Sequence, residues 1–131
     1  MIVVDASAVV EALAGRDADA EFLALFAGEL AAPHLLDVEV LSALRGLSLA
    51  SALTGAVVDV ARQDFQDLTV SRYEIAPLAP RIWGLRHQFT AYDACYLALA
   101  EALEAPLLTC DKKLAAGGHR AEVVVFPPGE S

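Results

Sequence analysis

Two short apolar runs in this chain stop at an aspartate and turn at once into a helical pattern. The first is Ile2-Val3-Val4 before Asp5; the second is Pro106-Leu107-Leu108-Thr109-Cys110 before Asp111. A run that is apolar at successive positions suits a strand covered on both faces, as in a parallel sheet. Parallel strands need crossover helices, and the intervening chain supplies them. Residues 7–14 and 18–28 read as helices, with Ser7 and Asp17 as candidate caps and Gly15 and Gly28 as breaks. Residues 30–33 read as a second strand. Leu36, Val40, Leu44 and Leu47 carry a helix over 35–50, and Val57, Val60, Ala61, Phe65 and Leu68 carry another over 54–70. Residues 72–77 read as a third strand, whose single alternation at Tyr73 and Ile75 suits a sheet edge. Helices over 78–87 and 90–103 follow. The strand at 106–110, a short helix from Asp111 to Gly117-Gly118, and a last strand over 122–126 complete the chain, stopped by Pro127-Pro128-Gly129. The expected fold is α/β, one domain over residues 1–131, with five strands joined by right-handed helical crossovers.

Bulk properties narrow the function. The chain is 56% apolar with mean hydropathy +0.49, yet no apolar run approaches the roughly 18–20 residues of a membrane span. Met1-Ile2-Val3-Val4-Asp5 lacks the basic start of a signal peptide, so a cytoplasmic protein with no membrane attachment is expected. The net charge of −9 argues against plain electrostatic binding of nucleic acid. It leaves room for an enzyme whose metal ions supply positive charge locally. Cys95 and Cys110 are too few for a disulfide framework and read as small buried hydrophobes with free thiols. His34, His87 and His119 have no zinc-ligand spacing, and no glycine-rich nucleotide loop or serine elbow is present.

Four acids stand where acids have little structural reason to be: Asp5, Glu39, Asp93 and Asp111. Asp5 and Asp111 end strands, where open α/β sheets bind ligands, although either suits a helix cap as well. Ser7 is placed to cap the first helix or to hydrogen-bond a site carboxylate. Thr109 is placed to support the site or to be a plain strand residue. Glu39 lies in an apolar helix with Ser42 and Gly46 on its face, which reads as a solvated stripe or as a site acid. Asp93 occupies the first turn of its helix among apolar and aromatic neighbours. Lys112 and Lys113 read as solvated charges.

Together these residues and their flanks resemble the PIN-domain ribonucleases, and most of all the VapC-type toxins of bacterial toxin–antitoxin pairs. The resemblance rests on the segments Ile2 to Glu11, Val38 to Arg45, Leu85 to Ala100 and Leu107 to Leu114. The Thr90-Ala91-Tyr92-Asp93-Ala94 stretch joined to Leu108-Thr109-Cys110-Asp111 is its most specific part. It implies a three-layer α/β/α sandwich around a five-stranded parallel sheet. It also implies that Asp5, Glu39, Asp93 and Asp111 bind metal, and that all four being present means an active enzyme. Mg²⁺ or Mn²⁺ suits an all-oxygen donor set better than zinc. The implied reaction is hydrolysis of RNA to a 5′-phosphate and a 3′-hydroxyl. The implied partners are an RNA substrate, a VapB-type antitoxin and a second copy of the chain in a homodimer. Arg86 matches a position often basic in these toxins, suited to substrate, to an ion pair with a site acid, or to a structural ion pair.

Two other classes fit less well. A receiver-like phosphate-transfer module needs adjacent acids after the first strand and a lysine after the last; here Ala6 and Pro127 occupy those places. A non-catalytic acidic interaction domain for a basic partner gains weight only if one of the four acids is lost.

Overall fold

The computed structural model of the protein describes residues 1–15 and 19–128. The strands are β1 (Ile2–Val4), β2 (Leu30–Pro33), β3 (Ser71–Tyr73), β4 (Leu107–Thr109) and β5 (Val123–Val125). They form one sheet in the order β3-β2-β1-β4-β5, and each neighbouring pair is parallel. Every residue of β1, β2 and β4 is buried, as their unbroken apolar runs require. The edge strands β3 and β5 keep exposed positions, so the edge expected for the third strand is confirmed. β3 is short because it pairs with β2 only from Ser71 to Tyr73.

The helices are α1 (Ala6–Ala14), α2 (Ala20–Ala24), α3 (Leu35–Leu49), α4 (Gly55–Asp67), α5 (Ala79–Gly84) and α6 (Ala91–Leu103). They cover both sides of the sheet. Helices α1, α3 and α4 pack on one another, while α5 packs on α6 and α6 lies against β1, β2 and β4. Residues Ala94 to Ala100 of α6 are all buried, because this helix is enclosed by the sheet on one side and by α5 on another. Arg81 of α5 clamps Glu101 of α6 through two hydrogen bonds of 2.7 and 3.0 Å, and Glu101 also accepts the Arg120 amide at 2.7 Å. Among the described residues, no helix is long and apolar enough to cross a membrane.

Several local expectations change. The first helix begins at Ala6 and is capped by Asp5, not Ser7: the Asp5 carboxylate accepts the Ala8 amide at 2.9 Å. The Asp17 cap lies outside the described residues, as does Gly129. The second helix is shorter than its pattern; Asp19 caps it through the Phe22 amide at 2.8 Å, and a 3₁₀ turn over Leu25–Ala27 ends it. The helix read over 78–87 is a 3₁₀ turn, Ala76–Leu78, followed by the short α5. Pro77 and Pro80 sit at the starts of these pieces, where a missing amide hydrogen costs nothing. The element after Asp111 is a 3₁₀ helix, Lys112–Ala115.

This topology places the site. From β1 the chain steps outward to β2 and β3, then crosses to β4 and β5 on the other side of β1. Strand order therefore reverses between β1 and β4, and a doubly wound sheet opens a crevice at the carboxyl ends there.

Candidate active site

Asp5 and Asp111 follow β1 and β4, the strands that flank the reversal. The register Val4 opposite Leu108 brings both strand ends to one level, and the Asp5 amide bonds Leu108 O at 3.3 Å. Asp5 is 6% exposed, and both its carboxylate oxygens are hydrogen-bonded. Oδ1 accepts Ser7 Oγ at 2.7 Å and the Ala8 amide at 2.9 Å; Oδ2 accepts the Thr109 hydroxyl. The two hydroxyls also accept amides from the end of β4. Ser7 Oγ takes the Cys110 N–H and Thr109 Oγ1 takes the Asp111 N–H, each at 2.9 Å. Ser7 and Thr109 are thus the clasp that holds Asp5 against the segment carrying Asp111, and Asp5 is both a cap and a member of the site. Thr109 is completely buried. Thr109→Val keeps the shape but removes the donor to Asp5 and the acceptor of the Asp111 amide, so a loss of about 1–3 kcal/mol is expected. Urea denaturation of the two proteins measures it; an unchanged midpoint would show that the clasp does not hold the strands.

Helices bring the other two acids. Thr90 caps α6 by accepting the Asp93 amide at 3.2 Å, which places Asp93 in the first turn, half-buried. Glu39 lies one turn into α3, also half-buried, whereas Ser42 and Gly46 on its face are exposed. Its carboxylate Oε1 accepts the phenol of Tyr96 at 2.6 Å. Sequence reasoning missed Tyr96. The available signal was its position three residues after Asp93, which puts both on one face of α6. Asp111 caps the 3₁₀ helix through the Lys113 amide at 3.0 Å, and Lys113 Nζ lies 3.6 Å from its carboxylate in an exposed pair.

The four carboxylates form a closed circuit of mutual repulsion: Asp5 with Asp111, Asp111 with Asp93, Asp93 with Glu39, and Glu39 with Asp5. Three of them are held above their ordinary values. Burial raises Asp5 most, against the hydrogen bonds of Thr109, Ala8 and Ser7, and the charge of Asp111 adds to the rise. Burial also leads for Glu39, offset by the Tyr96 phenol and reinforced by Asp5 and Asp93. For Asp93 burial comes first and Asp111 second, with Lys113 pulling the other way. Among the described residues, Lys113 is the cation recorded against these acids, and its side chain is 78% exposed. An all-oxygen set of like charges in a crevice fits a hard divalent cation. Among the described residues no three His, Cys, Asp or Glu side chains stand close enough together to hold a metal ion as they are.

The remaining candidates lie apart from this chemistry. Arg86 forms no ion pair among those found between described residues, which corrects both ion-pair readings. Its guanidinium donates to Trp83 O at 2.9 Å and stacks 4.7 Å above the Trp83 ring, a cation–π contact. Cys95 is buried and Cys110 half-buried; both are free, and burial pushes each thiol up to about 11.

Comparison with known proteins identifies the family and the fold. The PIN domain model matches residues 2–119. Ribonuclease VapC9 of Mycobacterium tuberculosis is 43% identical over 129 residues, covering 97% of this chain and 99% of the relative. The chain belongs to the PIN-domain family, among the VapC ribonucleases. Solved structures share its fold. PAE2754 from Pyrobaculum aerophilum superimposes with a TM-score of 0.71 at 24% identity, covering 93% of this PIN domain and 81% of that chain. A toxin-antitoxin complex from Klebsiella pneumoniae contains a chain with a TM-score of 0.65 at 21% identity, covering 95% of this PIN domain and 97% of that chain. The three-layer arrangement implied by the sequence resemblance is therefore the fold observed.

Proposed function

We propose that this PIN domain is a divalent-metal-dependent endoribonuclease acting as the toxin of a toxin–antitoxin pair. The observation that carries the reading is the circuit of four carboxylates at the β1/β4 crevice, where three acids sit above their ordinary values against one exposed lysine. Repulsion of this kind is relieved by a cation, and Asp5, Glu39, Asp93 and Asp111 are the residues that would hold Mg²⁺ or Mn²⁺. Bound there, the ion supplies Lewis acidity toward a phosphodiester and lowers the pKa of a water.

The chain's own residues do the rest. The Ser7 and Thr109 hydroxyls, with the Ala8 amide, fix the Asp5 carboxylate through three donors and hold it at the level of Asp111. A fixed acid accepts the proton of the attacking water; the water oxygen bonds to phosphorus as the P–O3′ bond breaks, and the leaving 3′ oxygen takes up a proton, so hydrolysis leaves a 5′-phosphate and a 3′-hydroxyl. A net charge of −9 repels RNA at long range, so local contacts must seat the strand. Arg86 stacked on Trp83, which is 68% exposed, offers a cation and an aromatic surface of the kind that binds unpaired nucleotides. The partners that fit are a VapB-type antitoxin carrying a basic group toward the acids and a second copy of the chain. The exposed Tyr92, beside Leu35, Ile75 and Ile82, is the face offered for that homodimer. Light scattering that reports only monomer at micromolar concentration would remove the dimer. The place of action that fits is the cytoplasm.

The test is cleavage of total RNA by the purified protein in Mg²⁺, in Mn²⁺ and in EDTA. Cleavage with either ion, abolished by EDTA, with product ends that a 5′-phosphate-dependent exonuclease degrades, is the result expected. Cleavage indifferent to EDTA would overturn the metal-dependent reading.

A further inference from the structure

Glu39 differs from the other site acids in how it is held. Asp5 is fixed by a backbone amide and two hydroxyls, and Asp111 by the Lys113 amide. Glu39 is one methylene longer, lies one turn into α3, and among the described residues has the Tyr96 phenol as the hydrogen-bond partner of its carboxylate. An unheld glutamate keeps rotamer freedom that must be lost whenever it binds an ion. The phenol that removes this freedom comes from another layer. Tyr96 lies on α6, is 2% exposed, and reaches 57 residues back along the chain to α3.

We propose that Tyr96 is a positioning residue for the metal site, aiming Glu39 by donating its hydroxyl hydrogen to Oε1 and leaving Oε2 uncommitted for an ion. The inference rests on the metal-dependent reading above and deepens it. Two observations support it. Tyr96 is three residues from Asp93, so one face of α6 supplies an acid and also the group that orients a second acid on another helix. The phenol oxygen is the only polar side-chain atom of a residue otherwise packed in the core, and its position on that face brings it to the site and not to solvent. A tyrosine used only for packing needs neither of these. Second-layer groups of this type commonly set metal affinity by roughly 10–100-fold when removed.

Tyr96→Phe keeps the ring and removes the donor. With Mn²⁺ binding read by electron paramagnetic resonance, the expected result is affinity about 10–100-fold weaker than wild type with an unchanged melting temperature in EDTA. In cleavage assays the Mn²⁺ concentration for half-maximal rate rises by the same factor, while KM for RNA stays put and saturating Mn²⁺ restores the rate. In a Glu39→Gln background, Tyr96→Phe changes Mn²⁺ affinity by less than about twofold, because the phenol acts through Glu39. Wild-type Mn²⁺ affinity in Tyr96→Phe, or a full additional loss in the Glu39→Gln background, would overturn the proposal. If Tyr96→Phe does not fold, 3-fluorotyrosine at position 96 carries the test: its ¹⁹F resonance moves on saturation with Mg²⁺, and an unmoved resonance refutes the coupling. Wild-type protein that binds no Mn²⁺ at all would instead overturn the underlying reading, and the role of Tyr96 with it.

Discussion

Asp93→Asn lowers metal-dependent RNA cleavage by at least about 1000-fold, equivalent to about 4 kcal/mol of lost transition-state stabilisation. The substitution removes a charge from the circuit without disturbing α6, because Thr90 caps that helix through the Asp93 backbone amide. The same change should raise the melting temperature in EDTA. Asp93 sits above its ordinary value through burial and the charge of Asp111, so its ionised form destabilises the metal-free fold. Asp5→Ala loses activity to the same extent but has the opposite effect on stability. It deletes the cap of α1 and leaves the buried Thr109 hydroxyl without its acceptor, at a cost of about 2–4 kcal/mol. Cleavage assays paired with thermal melts in EDTA separate the two. An Asp93→Asn protein that cleaves RNA at the wild-type rate would remove Asp93 from the site.

Metal-free protein loses stability as pH rises from about 4.5 toward neutrality, and Mg²⁺ or Mn²⁺ reverses the loss. The sign follows from the direction of the shifts. Asp5, Glu39 and Asp93 have folded values above their ordinary values of 3.8, 4.5 and 3.8. Groups shifted up stabilise the fold fully below the unfolded value, and that contribution disappears as pH climbs through the folded value. Glu101 runs the other way: the Arg81 hydrogen bonds hold it below its ordinary 4.5, so its contribution is lost only as pH falls below that value. The window above 4.5 therefore belongs to the three site acids. An ion binds their charged forms, so at pH 7.5 a concentration 100-fold over the dissociation constant adds about 2.7 kcal/mol. Differential scanning fluorimetry across pH, with EDTA and with each ion, measures both effects. A melting temperature that rises steadily with pH in EDTA, or one that ignores the ions at pH 7.5, would contradict the arrangement.

The clearest readings from the sequence were those in which one residue serves a single, local purpose. Ile2-Val3-Val4 and Leu107-Leu108-Thr109 are strands because nothing but burial on both faces explains them, and both are wholly buried. Asp5 and Asp111 were legible as candidates because each ends such a run, although an acid there also serves as a helix cap, as both do. Ser7 was left open between cap and carboxylate partner because Asp5 and Ser7 both carry capping oxygens; backbone conformation makes Asp5 the cap and turns Ser7 to the Asp5 carboxylate. Arg86 was misread as an ion-pair candidate because its partner, the Trp83 ring, is apolar in the sequence pattern. Tyr96 was hidden among Ala94, Cys95, Leu97 and Ala98, where any ring reads as core.

Residue order thus carried the element types, the parallel sheet and the identities of four acids. Those properties depend on periodicity and on local chemistry, which a linear pattern records. Folding supplied the neighbourhoods. Pairing of β1 with β4 set Asp5 beside Asp111 and closed the Ser7–Thr109 clasp across more than 100 residues, with separations of 102 for the two hydroxyls and 104 for Thr109 and Asp5. Packing of α6 between the sheet and α5 carried the Tyr96 phenol to Glu39. Carboxylates repel only when brought close, so the circuit that calls for a cation exists nowhere in the sequence until β4 pairs beside β1, where the strand order reverses.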